Sequence, residues 1–403
     1  MKFNTVLEAE EWIMSRRNRE HGFAHFQKAM EAAGNPQNTL RAIHIAGTNG
    51  KGSTTNYISD VLIAEGYRVG TFTSPHLVEH RDRIKINQEW ISEEKFLDYL
   101  NEWYDFVEEW DLAMFEIDVL LASLYFRDEQ VDWAVMEVGL GGRLDGTNTM
   151  AHPVLSVITT IGMDHMDRLG NTYAEIAYEK AGIIKENGQV LIGYLNDEAR
   201  EVIRRISSER NARLIELAPF EDQGLGRFIF DNDTYEIAMT AEYQKANASL
   251  ALQACQCIGL DIHSDTVKKA LYRSRWAGRF EKVQEHPAII LDGAHNEEGM
   301  RALTSSFRNL EAPVVVVFSA LADKQGKEMA EMLVKAADRL YVTQFAMYRA
   351  DTAAHLACEG STIIEDWKEA ITAAKRDVCD QGTVVICGSL YFISMVREYL
   401  LKN

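Results

Sequence analysis

The residues best suited to chemistry fall in short clusters, most of them rich in glycine. The first is Gly47-Thr48-Asn49-Gly50-Lys51-Gly52-Ser53. A glycine-rich turn that opens a helix presents successive backbone N–H groups, and the positive end of the helix dipole, to an anion. A lysine inside that turn suits the β- and γ-phosphates of a nucleotide. The usual P-loop has Ser or Thr directly after the lysine to bind Mg²⁺. Gly52 occupies that place here, so a metal-binding hydroxyl has to come from elsewhere. Taken alone, these residues also read as a glycine-rich turn with an incidental lysine.

Further clusters follow apolar runs. Thr73-Ser74-Pro75-His76-Leu77 contains a hydroxyl able to fill the role left open by Gly52, although Ser-Pro is equally an ordinary turn. Glu137 closes the run Trp133-Ala134-Val135-Met136 and precedes Gly139-Leu140-Gly141-Gly142-Arg143-Leu144-Asp145-Gly146. A carboxylate ending an apolar strand is costly to desolvate without a cation, which suits an acid that holds Mg²⁺ directly or through water. The glycines after it allow close backbone approach by a ligand. In Gly162-Met163-Asp164-His165-Met166-Asp167 the histidine is either a metal ligand or a surface imidazole paired with its aspartates. Lys180, in Glu179-Lys180-Ala181-Gly182, would be a solvated helix charge in most proteins. Trp276-Ala277-Gly278-Arg279 and Leu291-Asp292-Gly293-Ala294-His295-Asn296 place an arginine and an aspartate on either side of an expected domain junction, able to close on a nucleotide. No nucleophile elbow, zinc pair or Ser/His/Asp triad competes with this assembly.

These clusters require elements that deliver them to one edge of a sheet. Ala42–Ile45 reads as a strand feeding the glycine turn, the stretch from Ser53 to Ala64 as its helix, and Val69–Phe72 as the next strand, together a βαβ unit. Residues 5–33 and 93–127 read as helical. Apolar runs at 131–138, 154–161 and 190–193 read as buried parallel strands, with helices at 172–184 and 197–210. The alternation predicts a doubly wound, mainly parallel α/β sheet, whose ligands bind at the carboxyl ends of its strands. Gly224–Thr240 alternates polar and apolar residues and is expected to add antiparallel strands at the sheet edge; a helix-rich segment, 243–274, follows. A second α/β series begins at Ala288, with strands at 288–291, 314–318, 340–343 and 384–387. Glu281–Pro287 reads as a polar linker, which predicts domains at 1–282 and 283–403.

With 403 residues, the chain has room for two domains. Its net charge of −19 argues against nucleic acid or an anionic membrane as partner, and means that any nucleotide must be held by local cations. The start Met1-Lys2-Phe3-Asn4-Thr5 has no apolar signal core, and no run is long enough to span a membrane. With an odd five cysteines, reduced thiols in the cytoplasm are expected. Cys255 and Cys257 lie two apart in a helical stretch and face different ways, so they read as buried thiols rather than a metal pair.

Together these segments resemble the folylpolyglutamate synthase/dihydrofolate synthase family, a branch of the Mur-ligase-like ATP-dependent amide ligases. The resemblance runs almost end to end, from Gly34-Asn35-Pro36 through Glu179-Lys180-Ala181-Gly182-Ile183-Ile184-Lys185 and Arg279-Phe280-Glu281 to Gly388-Ser389-Leu390. It implies a P-loop-type ATPase domain, a smaller Rossmann-like glutamate-ligase domain, and ATP between them. It assigns Gly50, Lys51, Gly52 and Ser53 to the phosphates, and Gly47, Thr48, Asn49, Asn247, Arg279 and Asp292 to ATP contacts more generally. It implies Mg²⁺, one ion or two, on Ser74, Glu137 and His165, with Lys180 as a carbamylated lysine that helps hold the second. Lys51, Lys180 and His165 are then the catalytic set. Phe115, Glu116, Leu144, Asp145 and Gly146 align with the pterin pocket, and His295 is a candidate contact for glutamate.

The implied reaction joins L-glutamate to dihydropteroate, or to the tail of a reduced folate, through an acyl phosphate made with ATP. A monomer acting on small molecules is expected. Two departures stand out: the chain reads Ala113-Met114-Phe115-Glu116 where relatives often have an aromatic before Phe-Glu, which bears on substrate choice, and Ala277 stands where a proline is common before Gly-Arg. A related Mur-type ligase acting on another carboxylate, or a folate- or nucleotide-binding relative without turnover, are the alternatives.

Overall fold

A computed structural model describes residues 2–402. The chain forms two compact units, one of residues 1–220 and 247–272, the other of 221–246 and 273–403.

The first unit is built on an eight-stranded sheet. Its strands are β1 (Ala42–Ala46), β2 (Val69–Phe72), β3 (Ile84–Ile86), β4 (Glu89–Trp90), β5 (Trp133–Glu137), β6 (Leu155–Ile158), β7 (Gln189–Ile192) and β8 (Arg213–Glu216), in the order β4-β3-β2-β5-β1-β6-β7-β8. From β2 to β8 all neighbours are parallel, and only the β2–β3 and β3–β4 pairs are antiparallel. Every residue of β1 and β5 is buried. That is why these strands are unbroken apolar runs: both faces of a parallel sheet are covered by its crossover helices. The helix Lys51–Ala64 is itself buried over most of its length, and Met114–Asp128 is buried from Ile117 to Phe126.

The chain leaves β1 toward β2 on one side and reaches β6 on the other. The strand order therefore switches at β1, and the loops after β1, β5, β6 and β2 share the carboxyl edge where such sheets bind ligands. The helical reading of 5–33 resolves into Val6–Ser15 and Phe23–Ala32, broken where Gly22 takes φ 82°. Residues 93–127 likewise form two helices, Glu93–Glu109 and Met114–Asp128.

The strands β9 (Glu221–Asp222), β10 (Arg227–Phe230) and β11 (Asp233–Glu236) make an antiparallel sheet of their own, in the order β11-β10-β9. The expected antiparallel pairing is present, but not at the edge of the large sheet. Phe228, Phe230 and Tyr235 are buried, and the segment groups with the second unit.

That unit has a six-stranded sheet of β12 (Glu281–Glu285), β13 (Ala288–Asp292), β14 (Val314–Phe318), β15 (Arg339–Gln344), β16 (Ser361–Asp366) and β17 (Thr383–Cys387), in the order β12-β13-β17-β14-β15-β16. The supposed linker at 281–287 is in large part β12, an edge strand antiparallel to β13. It is rich in polar residues, Lys282 and Glu285 exposed and none of the five fully buried, and so reads as a linker. By compactness, residues 273–282 go with 283–403. Among the described residues no helix is long and apolar enough to cross a membrane, and all five cysteines are free.

Candidate active site

The loop after β1 is held mainly by the loop after β6. Thr48 N–H donates to the Thr160 carbonyl at 2.8 Å, and Asn49 N–H donates to Thr160 Oγ1 at 3.0 Å. The Thr48 hydroxyl accepts from Gly162 N–H at 2.9 Å, and the Asn49 carbonyl accepts from Thr159 Oγ1 at 2.6 Å. Gly50 takes φ 84° at the start of the helix Lys51–Ala64, and no side chain caps that helix. A β-carbon on Gly50 would overlap the Asn247 side-chain oxygen, so only glycine meets both demands. Thr159 and Thr160 were not singled out from sequence; their one signal is a Thr-Thr pair ending a buried apolar strand.

Two lysines meet on one carbonyl. Gly47 O accepts from Lys51 Nζ at 3.1 Å and from Lys180 Nζ at 3.0 Å. Lys180 is 3% exposed, far from the solvated charge that its place in the sequence suggests. Burial, and secondly the Lys51 charge, push its amine down to about 7, against the opposing pull of Asp164 and Asp145.

Glu137 ends β5 and is 4% exposed, and one of its oxygens accepts from Ser74 N–H at 3.2 Å. The structure thus brings Ser74 and Glu137 together, and separately Lys51 and Lys180. His165 follows β6 with φ 50°, its N–H donating to Asp164 at 2.8 Å. Among the described residues no three or more His, Cys, Asp or Glu side chains converge on a metal-sized centre.

Phe115 packs against Gly139, and its ring centroid lies 5.7 Å from that of Phe72. The Glu116 carboxyl accepts from Ala113 N–H at 2.8 Å and is pushed up by burial. Asp145 is turned into its own loop, accepting from Leu140 N–H at 2.9 Å, Thr147 N–H at 3.0 Å and Thr147 Oγ1 at 2.6 Å. Burial raises it despite those bonds. The Thr147 hydroxyl in turn lies 2.8 Å from Nε2 of buried His44. Leu144 is 56% exposed, and Gly146 opens the short turn Gly146–Thr149.

The loop between β2 and β3 holds a cluster that sequence reasoning did not find. Arg83 Nη2 lies 3.2 Å from His76 Nδ1, and His80 Nε2 lies 2.5 Å from Asp118 Oδ1. The His76 and His80 rings are 5.4 Å apart, and Arg83 reaches to 3.6 Å from the second Asp118 oxygen. Burial, then Arg83, His80 and Arg17, hold the His76 imidazole down at about 3. Asp82 closes the loop by accepting from Leu77 and Val78 N–H, both at 2.7 Å.

In the second unit, Asp292 ends β13 and is 2% exposed. It accepts from Phe280 N–H at 2.8 Å, from Ala294 N–H at 2.9 Å, and from the Tyr243 hydroxyl. Burial raises its carboxyl, opposed by the Tyr243 bond, the Arg279 charge and those amides. Arg279 lies against Gly293, and His295 Nδ1 is 2.7 Å from the Gly293 carbonyl.

A switch-point sheet with a glycine-lysine turn, followed by a second, mainly parallel sheet, is the build of a Mur-type ligase. In keeping with this, residues 45–255 match the Mur ligase middle domain and residues 278–390 match the Mur ligase glutamate ligase domain. The dihydrofolate synthase/folylpolyglutamate synthase of Bacillus subtilis (strain 168) is 36% identical, over 99% of this chain and 100% of that protein. The chain belongs to the dihydrofolate synthase/folylpolyglutamate synthase family. Escherichia coli FolC in complex with DHPP and ADP superimposes with a TM-score of 0.91 at 26% identity, covering 100% of this chain and 99% of the other. A bifunctional folylpolyglutamate synthase/dihydrofolate synthase with Mn, AMPPNP and L-glutamate bound gives 0.89 at 27% identity, with coverage of 100% and 99%.

Proposed function

We propose that this chain is an ATP-dependent ligase that joins L-glutamate to dihydropteroate, to the glutamate tail of reduced folates, or to both. The observation that carries the reading is the meeting of Lys51 and Lys180 on the Gly47 carbonyl, at the head of an uncapped helix on the switch-point edge of the sheet. The ADP, AMPPNP, Mn and L-glutamate bound by its relatives support ATP, a divalent metal and this amino acid as its ligands.

In the first step a substrate carboxylate oxygen attacks the γ-phosphorus of ATP, the bond to the β,γ-bridging oxygen breaks, and an acyl phosphate and ADP form. The glutamate amine then attacks the acyl carbon, the tetrahedral intermediate expels phosphate, and the amine loses its proton. Both steps gather negative charge, so the protein's work is to position and neutralise. We assign the phosphates to the amides of residues 50–53 and to Lys51, and other parts of ATP to Gly47, Thr48, Asn49, Asn247, Arg279 and Asp292. Phe115, Glu116, Leu144, Asp145 and Gly146 are assigned to the pterin and His295 to glutamate. Because the Asp145 carboxylate is already engaged by its own loop, its part is to hold Leu144 and Gly146 in shape.

Ser74, Glu137 and His165 are the residues assigned to Mg²⁺. One carboxylate, one hydroxyl and one imidazole fit a hard ion that keeps water and takes further oxygens from phosphate. A nearly fully buried Glu137 is the kind of charge that a cation makes tolerable. When bound, the ion neutralises the transferring phosphoryl group. Lys180 we assign as a carbamate: with its amine near 7, a share is neutral at neutral pH and can add CO₂ with loss of one proton. The product is an anion beside Lys51.

The experiment is a mass-resolved assay of purified protein with ATP, Mg²⁺ and L-glutamate, with dihydropteroate and tetrahydrofolate run side by side. Formation of the glutamyl product with either supports the reading; absence of ADP release with both refutes it.

A further inference from the structure

We infer that His76 is a substrate-orienting residue, its Nε2–H donating to the carboxylate of the pteroate- or folate-type substrate. This deepens the ligase reading above and rests on it. A guanidinium has five donors and no acceptor, so Arg83 Nη2 at 3.2 Å must donate to His76 Nδ1. Nδ1 is therefore the lone-pair nitrogen, and the ring proton sits on Nε2. Among the described residues, Nε2 has no hydrogen-bond partner within the protein.

The surroundings hold the ring in place. The His80 ring lies 5.4 Å away and is tied by its Nε2 to Asp118 at 2.5 Å, while Asp82 closes the loop through two amides. Asp118 is one helical turn beyond Phe115 on Met114–Asp128, so the helix that presents Phe115 to the pterin also buttresses this ring. His76 is two residues past Ser74, whose N–H meets Glu137. The donor thus stands on the same loop as the proposed metal hydroxyl, on the carboxyl edge of the sheet.

A neutral donor is well matched to this task. It orients one oxygen of the carboxylate without the charge neutralisation of a direct ammonium or guanidinium pair. The other oxygen keeps its electron density for attack on phosphorus. Arg83, behind the ring, polarises it toward an anion.

The test compares binding of dihydropteroate with that of its carboxamide analogue, by calorimetry without nucleotide, in wild type and His76→Phe. ADP binding and steady-state turnover are measured alongside. Loss of a hydrogen bond to a charged group predicts about tenfold to a hundredfold weaker binding of the acid. The amide is expected to bind both proteins alike and ADP to be unaffected. His76→Gln, which keeps a donor, should recover part of the loss, and His76→Met should not; that pair decides the matter if the phenylalanine variant does not fold. Equal binding of the acid by wild type and donor-less variants, or equal weakening of acid and amide, overturns the inference. Failure of wild type to turn over either substrate instead overturns the ligase reading.

Discussion

Replacing Gly139 by alanine tests the packing behind the proposed pterin contact. A β-carbon there would lie 2.6 Å from Phe115 Cζ, 2.9 Å from Cε2 and 3.1 Å from Cε1. Carbon atoms rest at about 3.5–4.0 Å, so the ring edge must retreat by about 1 Å. Phe72 stands beside the ring, with centroids 5.7 Å apart, and leaves it little room. Overpacking of this kind costs about 1–3 kcal/mol, and a displacement of about 1 Å at a positioning surface reduces turnover by up to about a hundredfold. Urea unfolding should show the loss of stability, and steady-state kinetics a raised KM for the pterin substrate with the KM for ATP little changed. Phe115→Leu, shorter at the clashing end, should relieve the strain. The double variant should then be more stable than the sum of the singles by about 1 kcal/mol, beyond the roughly 0.5 kcal/mol scatter of additive pairs. Additive behaviour, or a Gly139→Ala protein with wild-type stability and pterin KM, would refute the reasoning.

Glu137→Gln is expected to keep the fold and lower turnover about a hundredfold or more by removing the carboxylate proposed to hold Mg²⁺; near-normal kcat with normal Mg²⁺ dependence would remove that assignment. Lys180 titrates near 7 in the folded chain against an ordinary 10.5. Between those values the unfolded chain holds a proton that the folded chain does not, so in CO₂-free buffer stability should climb from about pH 7 to about 10 by up to about 1.4 kcal/mol per pH unit. Lys180→Met should lack that rise in urea titrations, and an unchanged slope would contradict the burial argument. Tyr243→Phe deletes one donor to the buried Asp292 carboxyl; a loss of about 1–3 kcal/mol is expected by thermal unfolding, with a raised KM for ATP, and no change in either would show the bond to be dispensable.

Much of this arrangement is legible in the sequence, for identifiable reasons. β1, β5 and β14 are covered on both faces, and burial of every residue leaves an apolar run that few other structures produce. β12 and β16 are edge strands, rich in polar residues and with no fully buried position, so they carry no such run; the first reads as a linker and the second gives no strand signal. The glycine-lysine turn was visible because its demands are local. Lys180 on Gly47 O spans 133 residues, and His80 on Asp118 spans 38. No periodicity announces a partner so far along the chain. The fate of the Asp145 carboxylate, directed at its own loop, was likewise a matter of which way one side chain turns.

The three-stranded sheet has a consequence for how the chain matures on the ribosome. Residues 221–246 belong with the second unit, yet they are made before residues 247–272, which complete the first. Glu242 bonds to Ser306 and Asn309, which emerge more than sixty residues later. The small sheet is therefore synthesised before the segment that completes the first unit and before its own partners in the second. Neither unit is one continuous stretch of message, so neither can be excised with a single cut, and the second cannot be completed until the whole of the first has been made.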